Sequence, residues 1–372
     1  MIKVGITGQS GFMGSHLFNY LKTKNSIELI NFKKGYFDNY DKLQEFVKKC
    51  DVIVHLAAMN RHLDPQVIYD TNINLVNKLT KACDVVNVAP KIIFSSSTQE
   101  GLENPYGKSK KEGRLHLEQW ARVNNTYIAT LIIPNVFGPF GKPYYNSVVS
   151  TFCYQLIHNE TPTIDVDGQL KLIYINELSE IFYKEIIANR KQIISYAVRH
   201  TATKKVTELL TLLKVFKTEY YDNGVVVDLR DPFEINLFNT FRSFIPVEYF
   251  PRKYTQHSDE RGSFVEIMRA NTSGQSSYST TKPSITRGNH YHTRKVERFA
   301  VIKGKALIQL RKVNTNEVIN YYLDGDKPAY VDMPIWFTHN IKNIGKSELI
   351  TLFWINEPYN QNDPDTYFEN VE

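Results

Sequence analysis

The sequence predicts two domains of different class: a doubly wound α/β domain on a parallel sheet, followed by an all-β barrel. Three observations carry this expectation. The chain has 372 residues, long for one compact core. Up to about residue 130, near-continuous apolar strand patterns alternate with helical ones, which means a parallel sheet covered on both faces. After Lys253 short strand-like runs dominate, separated by turn residues.

Taken in order, Lys3–Thr7 reads as a first strand, and Gly11–Lys22 as a helix with Phe12, Leu17, Phe18 and Leu21 on one side. Ile27–Phe32 is a second strand, Leu43–Val47 part of a helix and Val52–Ala57 a third strand. Val67–Cys83 is a long amphipathic helix and Lys91–Ser95 a fourth strand; Tyr127–Ile133 continues the pattern. A loop with Pro134, Gly138, Pro139, Gly141 and Pro143 follows, then helical segments at Ser147–His158, Glu177–Ala188 and Val206–Val215. Arg242–Lys253 holds Pro246 and Pro251 and has no helical period, so it predicts the boundary between domains 1–245 and 252–372. Beyond it, strands are expected at Ser263–Met268, Val296–Lys303, Lys305–Lys312, Ile319–Leu323, Ala329–Met333 and Glu348–Ile355.

Composition narrows the function classes. With 42% hydrophobic and 23% charged residues the chain is ordinary for a soluble globular protein. No run approaches ~20 apolar residues, so no membrane span is expected. The N-terminus leads into a Gly-rich turn without a signal-peptide pattern. Cys50, Cys83 and Cys153 lack CxxC spacing and read as free thiols of a cytoplasmic protein. The net charge of +6 is modest, and its lysines and arginines are dispersed. That disfavours nucleic acid and suits a small anionic ligand such as a nucleotide.

The first chemical signature is Gly8-Gln9-Ser10-Gly11-Phe12-Met13-Gly14, between a strand and a helix. Such glycines permit a tight turn and close backbone approach, and the helix N-terminus then faces a pyrophosphate. Tyr106 and Lys110 have YxxxK spacing, which sets both on one helix face. An ammonium beside the phenol is expected to lower its pKa and make it a proton donor near neutral pH. Ser97 ends the preceding strand, where its hydroxyl can hold the substrate oxygen; Thr98 is the alternative. The second strand ends Asn31-Phe32-Lys33-Lys34, with no acid for a ribose 2′-hydroxyl, and Lys33 and Lys34 suit the 2′-phosphate of NADPH. Solvated lysines are the bland reading.

Residues 1 to about 240 resemble an extended short-chain dehydrogenase/reductase with a Rossmann sheet, the family of nucleotide-sugar epimerases and reductases. The matching segments are Thr7–Gly14, His55-Leu56-Ala57-Ala58, Phe94–Ser97, Pro105–Lys110 and Asn135-Val136-Phe137-Gly138-Pro139. The resemblance implies Ser97, Tyr106 and Lys110 as the catalytic triad. It implies cofactor contacts from Gly8, Ser10, Gly11, Phe12, Met13, Gly14, Leu56, Ala57, Ala58 and Lys110, and a sugar-nucleotide contact from Asn135. Two positions depart from the family: Ile132 where an Arg is frequent, and Lys171-Leu172-Ile173-Tyr174 in the later RxF-like strand.

The second signature is His290-Tyr291-His292, then Glu297, then His339. Histidines two apart face one side of a strand, and three histidines with a glutamate suit zinc or another divalent metal with an open position. Residues 252 to 372 resemble the cupins, jelly-roll barrels whose first motif is matched by His290, His292, Glu297 and Gly304. Pro334, His339 and Asn343 match the second motif, with Trp336 where a glycine is common. Asp259-Glu260-Arg261-Gly262-Ser263-Phe264 and Arg287-Gly288-Asn289-His290 are similar to the sugar-nucleotide 3,5-epimerase branch, which usually lacks a metal. The bland reading of this half is a metal-stabilised barrel that serves only to form a homodimer.

Joined, a reductase and a sugar-type cupin imply a 4-keto sugar nucleotide. A hydrogen at C3 is acidic only while C4 is a ketone, so epimerisation at C3 precedes reduction at C4. The whole chain resembles the bifunctional enzymes of capsular polysaccharide synthesis. That resemblance implies a UDP-4-keto-6-deoxy-N-acetylhexosamine as substrate. It implies a UDP-6-deoxy-N-acetyl-talosamine as product, on the route to UDP-N-acetyl-fucosamine. The alternative is a reductase alone, with a structural barrel.

Overall fold

The computed structural model describes residues 1–190, 192–260 and 262–372. Arg261, part of the segment similar to the 3,5-epimerase branch, lies outside the described residues. Two compact units form: residues 1–148 with 167–206, and residues 149–166 with 207–372.

The first unit runs β1 (Ile2–Thr7), α1 (Phe12–Lys22), β2 (Ile27–Ile30), α2 (Tyr40–Lys48), β3 (Val52–His55), α3 (Pro65–Val85), β4 (Lys91–Ser97), α4 (Pro105–Val123) and β5 (Ile128–Ile133). After β6 (Asn135–Phe137) the chain passes through α5 (Val148–Ile157), which belongs to the second unit, and returns with β7 (Gln169–Tyr174), α6 (Ile175–Ile187), β8 (Ile193–Ala197) and β9 (Ala202–Lys205). Six strands form one parallel sheet in the order β2-β1-β3-β4-β5-β8. Strands β1, β3, β4 and β5 are largely buried along their length, as a sheet covered on both faces demands. On one face Leu43 and Phe46 of α2, Val76 and Leu79 of α3 and Leu117 of α4 pack on Ile53, Ile92, Phe94 and Ile128. Helices α1 and α6 pack together. The order reverses between β1 and β3, so their carboxyl ends open the crevice where such sheets bind ligands.

The second unit continues with α7 (Val206–Val215), which runs into a π-helical segment at Phe216–Asp222, and α8 (Pro232–Arg242). The barrel strands are β10 (Arg252–Lys253), β11 (Gln256–Asp259), β12 (Gly262–Val265), β13 (Gln275–Thr281), β14 (Thr286–Tyr291), β15 (Glu297–Lys303) and β16 (Lys305–Lys312). Then follow β17 (Val318–Asp324), β18 (Ala329–Met333), β19 (Phe337–Asn343), β20 (Leu349–Ile355) and β21 (Tyr367–Phe368). Two five-stranded antiparallel sheets, β10-β18-β15-β20-β13 and β17-β16-β19-β14-β21, enclose an apolar core of Val301, Ile308, Leu310, Val331, Met333 and Leu349.

The helical segment is tied to this barrel by buried polar links. Tyr220 donates to Asp332 at 2.6 Å, and Asp332 also receives Arg298 at 2.7 Å. Arg242 donates to the Met333 carbonyl at 2.7 Å, and Asn239 to the Arg294 carbonyl at 2.8 Å. Phe216 and Tyr220 stack edge-on against Phe238. The proline-bearing stretch Arg242–Lys253 therefore starts inside a docked helix and ends in a barrel strand. Among the described residues no helix is long and apolar enough to cross a membrane.

Candidate active site and metal centre

The first site gathers at the carboxyl ends of β1, β3 and β4. Gly8 takes φ +74°, and a Cβ there would lie 2.8 Å from the Ala57 nitrogen. A Cβ on Gly14 would meet the Gly8 carbonyl oxygen at 2.2 Å, so the loop folds this tightly only with glycine at both places. The loop delivers Phe12 and Met13 to the start of α1. Gly11 caps that helix without a side chain, and its first turn carries no acid. The backbone N–H groups there suit a pyrophosphate. Leu56, Ala57 and Ala58 run alongside: Leu56 N donates to the Thr7 carbonyl at 3.2 Å and Ala57 N to the Thr7 hydroxyl at 3.3 Å. Ser10 is exposed at the turn. Lys33 and Lys34 are exposed past β2, and Gln9 of the loop accepts from Phe32 N at 2.9 Å.

Ser97 and Tyr106 meet because two turns are pressed together. Asn104 caps α4, accepting from Gly107 N at 2.7 Å, and Pro105 opens the helix. A Cβ on Gly107 would sit 2.1 Å from the Gln99 carbonyl oxygen, so α4 packs directly on the 98–101 turn. The Ser97 hydroxyl accepts from Gln99 N at 3.2 Å, and it opposes the rise in the Tyr106 pKa. Thr98, the alternative for this role, is exposed on the turn. Lys110 is buried one turn past Tyr106, its ammonium 4.8 Å from the centre of the Phe94 ring.

The expected low phenol pKa needs correction. Burial pushes Tyr106 up to about 12, and Ser97 only partly offsets it. Burial also draws Lys110 down to about 8. Desolvation dominates at the phenol, and Tyr145 adds to it. Sequence spacing reveals the pair but not the dryness of its surroundings. Asn135 opens β6, exposed, with its amide donating to the Lys171 carbonyl at 3.3 Å.

Two contributors escaped the sequence reading. Asn72, buried in α3, donates to the Met59 carbonyl and to the Ser109 hydroxyl at 2.9 and 3.0 Å, tying the 56–60 segment to α4. Glu100 receives Arg114 in two arms at 3.2 and 3.0 Å and the Ser96 hydroxyl. A buried polar residue in an amphipathic helix was the only signal for Asn72.

In the barrel, His290, His292, Glu297 and His339 converge, their ligand atoms all within 4.8 Å of one another. A bulge between Gly288 and His290 resets the β14–β19 register and pairs His290 with His339. Glu297 arrives from β15 in the facing sheet. His292 Nδ1–H donates to the Asp365 carbonyl at 2.5 Å, and His339 Nδ1–H to the Phe337 carbonyl at 3.2 Å. Each Nε2 then turns a lone pair toward Glu297, at 3.0 and 3.4 Å. Two lone pairs and a carboxylate repel unless a cation joins them, and the buried His339 Nε2 has no hydrogen-bond partner. The donor set therefore fits a divalent ion. Burial, then the neighbouring histidines, push His290 down to about 4, leaving it a neutral ligand near pH 7.

Supporting residues explain two motif positions and add a third. Trp336 stands at φ +62°, a conformation glycine adopts readily, which accounts for glycine being common there. Its backbone N–H donates to the His292 carbonyl at 2.8 Å. Asn343 donates to the Thr281 and Ser347 carbonyls at 2.7 and 2.9 Å, a turn-fixing role. Asp365, invisible to motif reading, accepts from Thr293 N and Arg294 N at 3.1 and 3.0 Å while its carbonyl orients His292.

Residues 4–192, just over half the chain, match the NAD dependent epimerase/dehydratase family. The chain belongs to that family. Residues 257–367 of this family member match the polysaccharide biosynthesis C-terminal domain. It is 31% identical over 367 residues, 98% of each chain, to a UDP-2-acetamido-2,6-beta-L-arabino-hexul-4-ose reductase of Pseudomonas aeruginosa. The crystal structure of the capsular polysaccharide assembling protein CapF from Staphylococcus aureus matches over 100% of both chains, at 32% identity and TM-score 0.63. The spore coat polysaccharide biosynthesis protein SpsL of Bacillus subtilis is 27% identical over 124 residues, 31% of this chain and 82% of that protein.

Proposed function

We propose that this chain is a bifunctional sugar-nucleotide enzyme of polysaccharide biosynthesis. Its barrel epimerises C3 of a UDP-4-keto-6-deoxy-N-acetylhexosamine, and its first unit reduces the C4 ketone with NADPH. The product is a UDP-6-deoxy-N-acetyl-talosamine, on the route to UDP-N-acetyl-fucosamine. The observation that carries the reading is the coexistence of two built sites: Ser97 at the end of β4 with Tyr106 and a buried Lys110 one turn apart on α4, and four converging ligands in the barrel. Support for the substrate class comes from the full-length likeness to the keto-sugar reductase and to CapF.

The Gly8–Gly14 loop would hold NADPH, which when bound would supply a hydride for C4. Ser97 holds the ketone oxygen, Tyr106 donates its proton to that oxygen, and Lys110 stabilises the phenolate left behind. Lys33 and Lys34 take the 2′-phosphate, and Asn135 contacts the sugar nucleotide. His290, His292, Glu297 and His339 would hold a divalent ion, most simply zinc, which when bound supplies Lewis-acid polarisation of a substrate oxygen next to C3. Asp365 and Phe337 keep two of those imidazoles turned toward the centre. Reduction at C4 removes the acidity of C3 and traps the epimer.

The test is to incubate the full chain with the UDP-4-keto-6-deoxy-N-acetylhexosamine and NADPH and to read the product by NMR. The expected product carries an inverted C3 and a C4 alcohol. A C4 alcohol with C3 unchanged would leave a reductase with a scaffolding barrel, and no NADPH oxidation would sink the reading.

A further inference from the structure

Two of the four barrel ligands stand at opposite ends of one turn. Strand β14 closes at Tyr291 in one sheet and β15 opens at Glu297 in the other, so residues 292–296 carry the chain between the sheets with a ligand at each end. The N–H groups of this turn are taken by two side chains from far along the chain. Thr293, Arg294 and Lys295 donate theirs to the Asp365 carboxylate at 3.1, 3.0 and 3.2 Å, and the Thr293 hydroxyl joins them at 2.6 Å. Val296 N donates to the Asn356 amide oxygen at 2.8 Å, and Asn356 N returns a bond to the Val296 carbonyl at 3.1 Å. Asp365 and Asn356 are both buried. The Arg294 guanidinium reaches Glu357 at 3.2 Å and Asp363 at 2.9 Å, which ties the segment that carries Asp365 to the same turn.

We infer that Asp365 and Asn356 are positioning residues of the metal centre: they set the shape of the 293–296 turn, and with it the placement of His292 against Glu297. The inference rests on the metal reading of the barrel above. A carboxylate suits the place of Asp365 because several donors converge there. Its two oxygens offer about four lone-pair sites, and bonds to an ionised acceptor are stronger than neutral ones. An amide of the same size would offer one oxygen and turn an NH2 group against buried N–H donors. Asp365 also acts on His292 through its main chain: its carbonyl takes the Nδ1–H and leaves Nε2 as the ligand atom. It does so at φ +41°, a left-handed conformation that costs a side-chain-bearing residue some strain. One residue thus orients the first ligand with its carbonyl and shapes the path to the second with its carboxylate, while Asn356 fixes the far end of that path.

The test strips the full chain of metal and titrates it with zinc against a chromophoric chelator, with thermal melting of the metal-free forms in parallel. Asp365→Asn should weaken zinc binding by roughly 10- to 100-fold. Asn356→Ala loosens the other end of the turn and should weaken zinc in the same direction. Asn343→Ala is the control, since it removes a buried amide that fixes a different turn through the Thr281 and Ser347 carbonyls. It should lower the melting temperature and leave zinc affinity at the parent's value. Unchanged zinc affinity in Asp365→Asn overturns the inference. A loss in Asn343→Ala that matches the loss in Asp365→Asn also overturns it, because general loosening of the barrel would then account for both. If Asp365→Asn does not fold, Asn356→Ala decides by the same two criteria. A parent protein that binds no zinc overturns the metal reading of the barrel itself, whereas a zinc-binding parent with unmoved variants overturns the inference alone.

Discussion

In the proposed reduction, Tyr106 surrenders a proton from a phenol that burial pushes up to about 12. That value favours the proton-donating role over a standing phenolate, so the residue is poised for reduction rather than for base chemistry. The developing phenolate needs Lys110 charged, and the lysine's pKa of about 8 keeps it so near neutrality. Tyr106→Phe should lower NADPH oxidation by ~100-fold or more. It should leave NADPH affinity nearly intact, because the cofactor loop lies on β1 and α1. Near-normal turnover in that variant would move the acid role elsewhere. Spacing alone made this residue legible: a YxxxK pair behind a serine-ended strand. The sign of its pKa was not legible, because desolvation comes from the packing around the phenol and not from residue spacing.

At the scale of elements, three strands from two sheets build the barrel centre, and a bulge sets one of them in register. The protein should therefore carry about one divalent ion per chain, with zinc the ion its donor set favours. His290→Ala combined with His339→Ala should release it; elemental analysis of both proteins checks this. A metal-free parent protein would end the Lewis-acid reading of the barrel. The end of β2 gives a second element-level expectation. Replacing Lys33 and Lys34 with alanine should weaken NADPH binding far more than NADH binding, measured by cofactor fluorescence. Equal losses would release both lysines from the 2′-phosphate role. Elements with strong periodicity were readable: α7 lies at Val206–Val215 as the apolar spacing predicts. Helix α8 was missed although Asp231 caps it, accepting from Glu234 N at 3.0 Å, and Pro232 opens it. Its Asn236, Asn239 and Thr240 interrupt the apolar stripe, and Asn239 and Thr240 are buried against partners the sequence does not reveal. Strand β13 reads Gln-Ser-Ser-Tyr-Ser-Thr-Thr, an edge strand with almost no apolar alternation to announce it.

For the whole molecule, the change from alternating strands and helices to short strands made two fold classes visible, and the ligand spacing made the barrel centre visible. What stayed hidden were links across long sequence distances, such as Tyr220 to Asp332 and His292 to Asp365. The two chemistries proposed for this chain also carry an order. The C3 hydrogen is acidic only while C4 is a ketone, so exchange at C3 must not depend on the proton donor for C4. Tyr106→Phe in the full chain should still exchange the substrate's C3 hydrogen for deuterium from heavy water, at a rate close to that of the parent. The His290→Ala, His339→Ala protein should lose that exchange. It should still oxidise NADPH when given the already epimerised ketone, because Ser97, Tyr106 and Lys110 are untouched. Following deuterium at C3 by NMR beside NADPH absorbance separates the two steps in one sample. Loss of exchange in Tyr106→Phe, or its survival without the two histidines, would place both steps in the first unit and reduce the barrel to a scaffold.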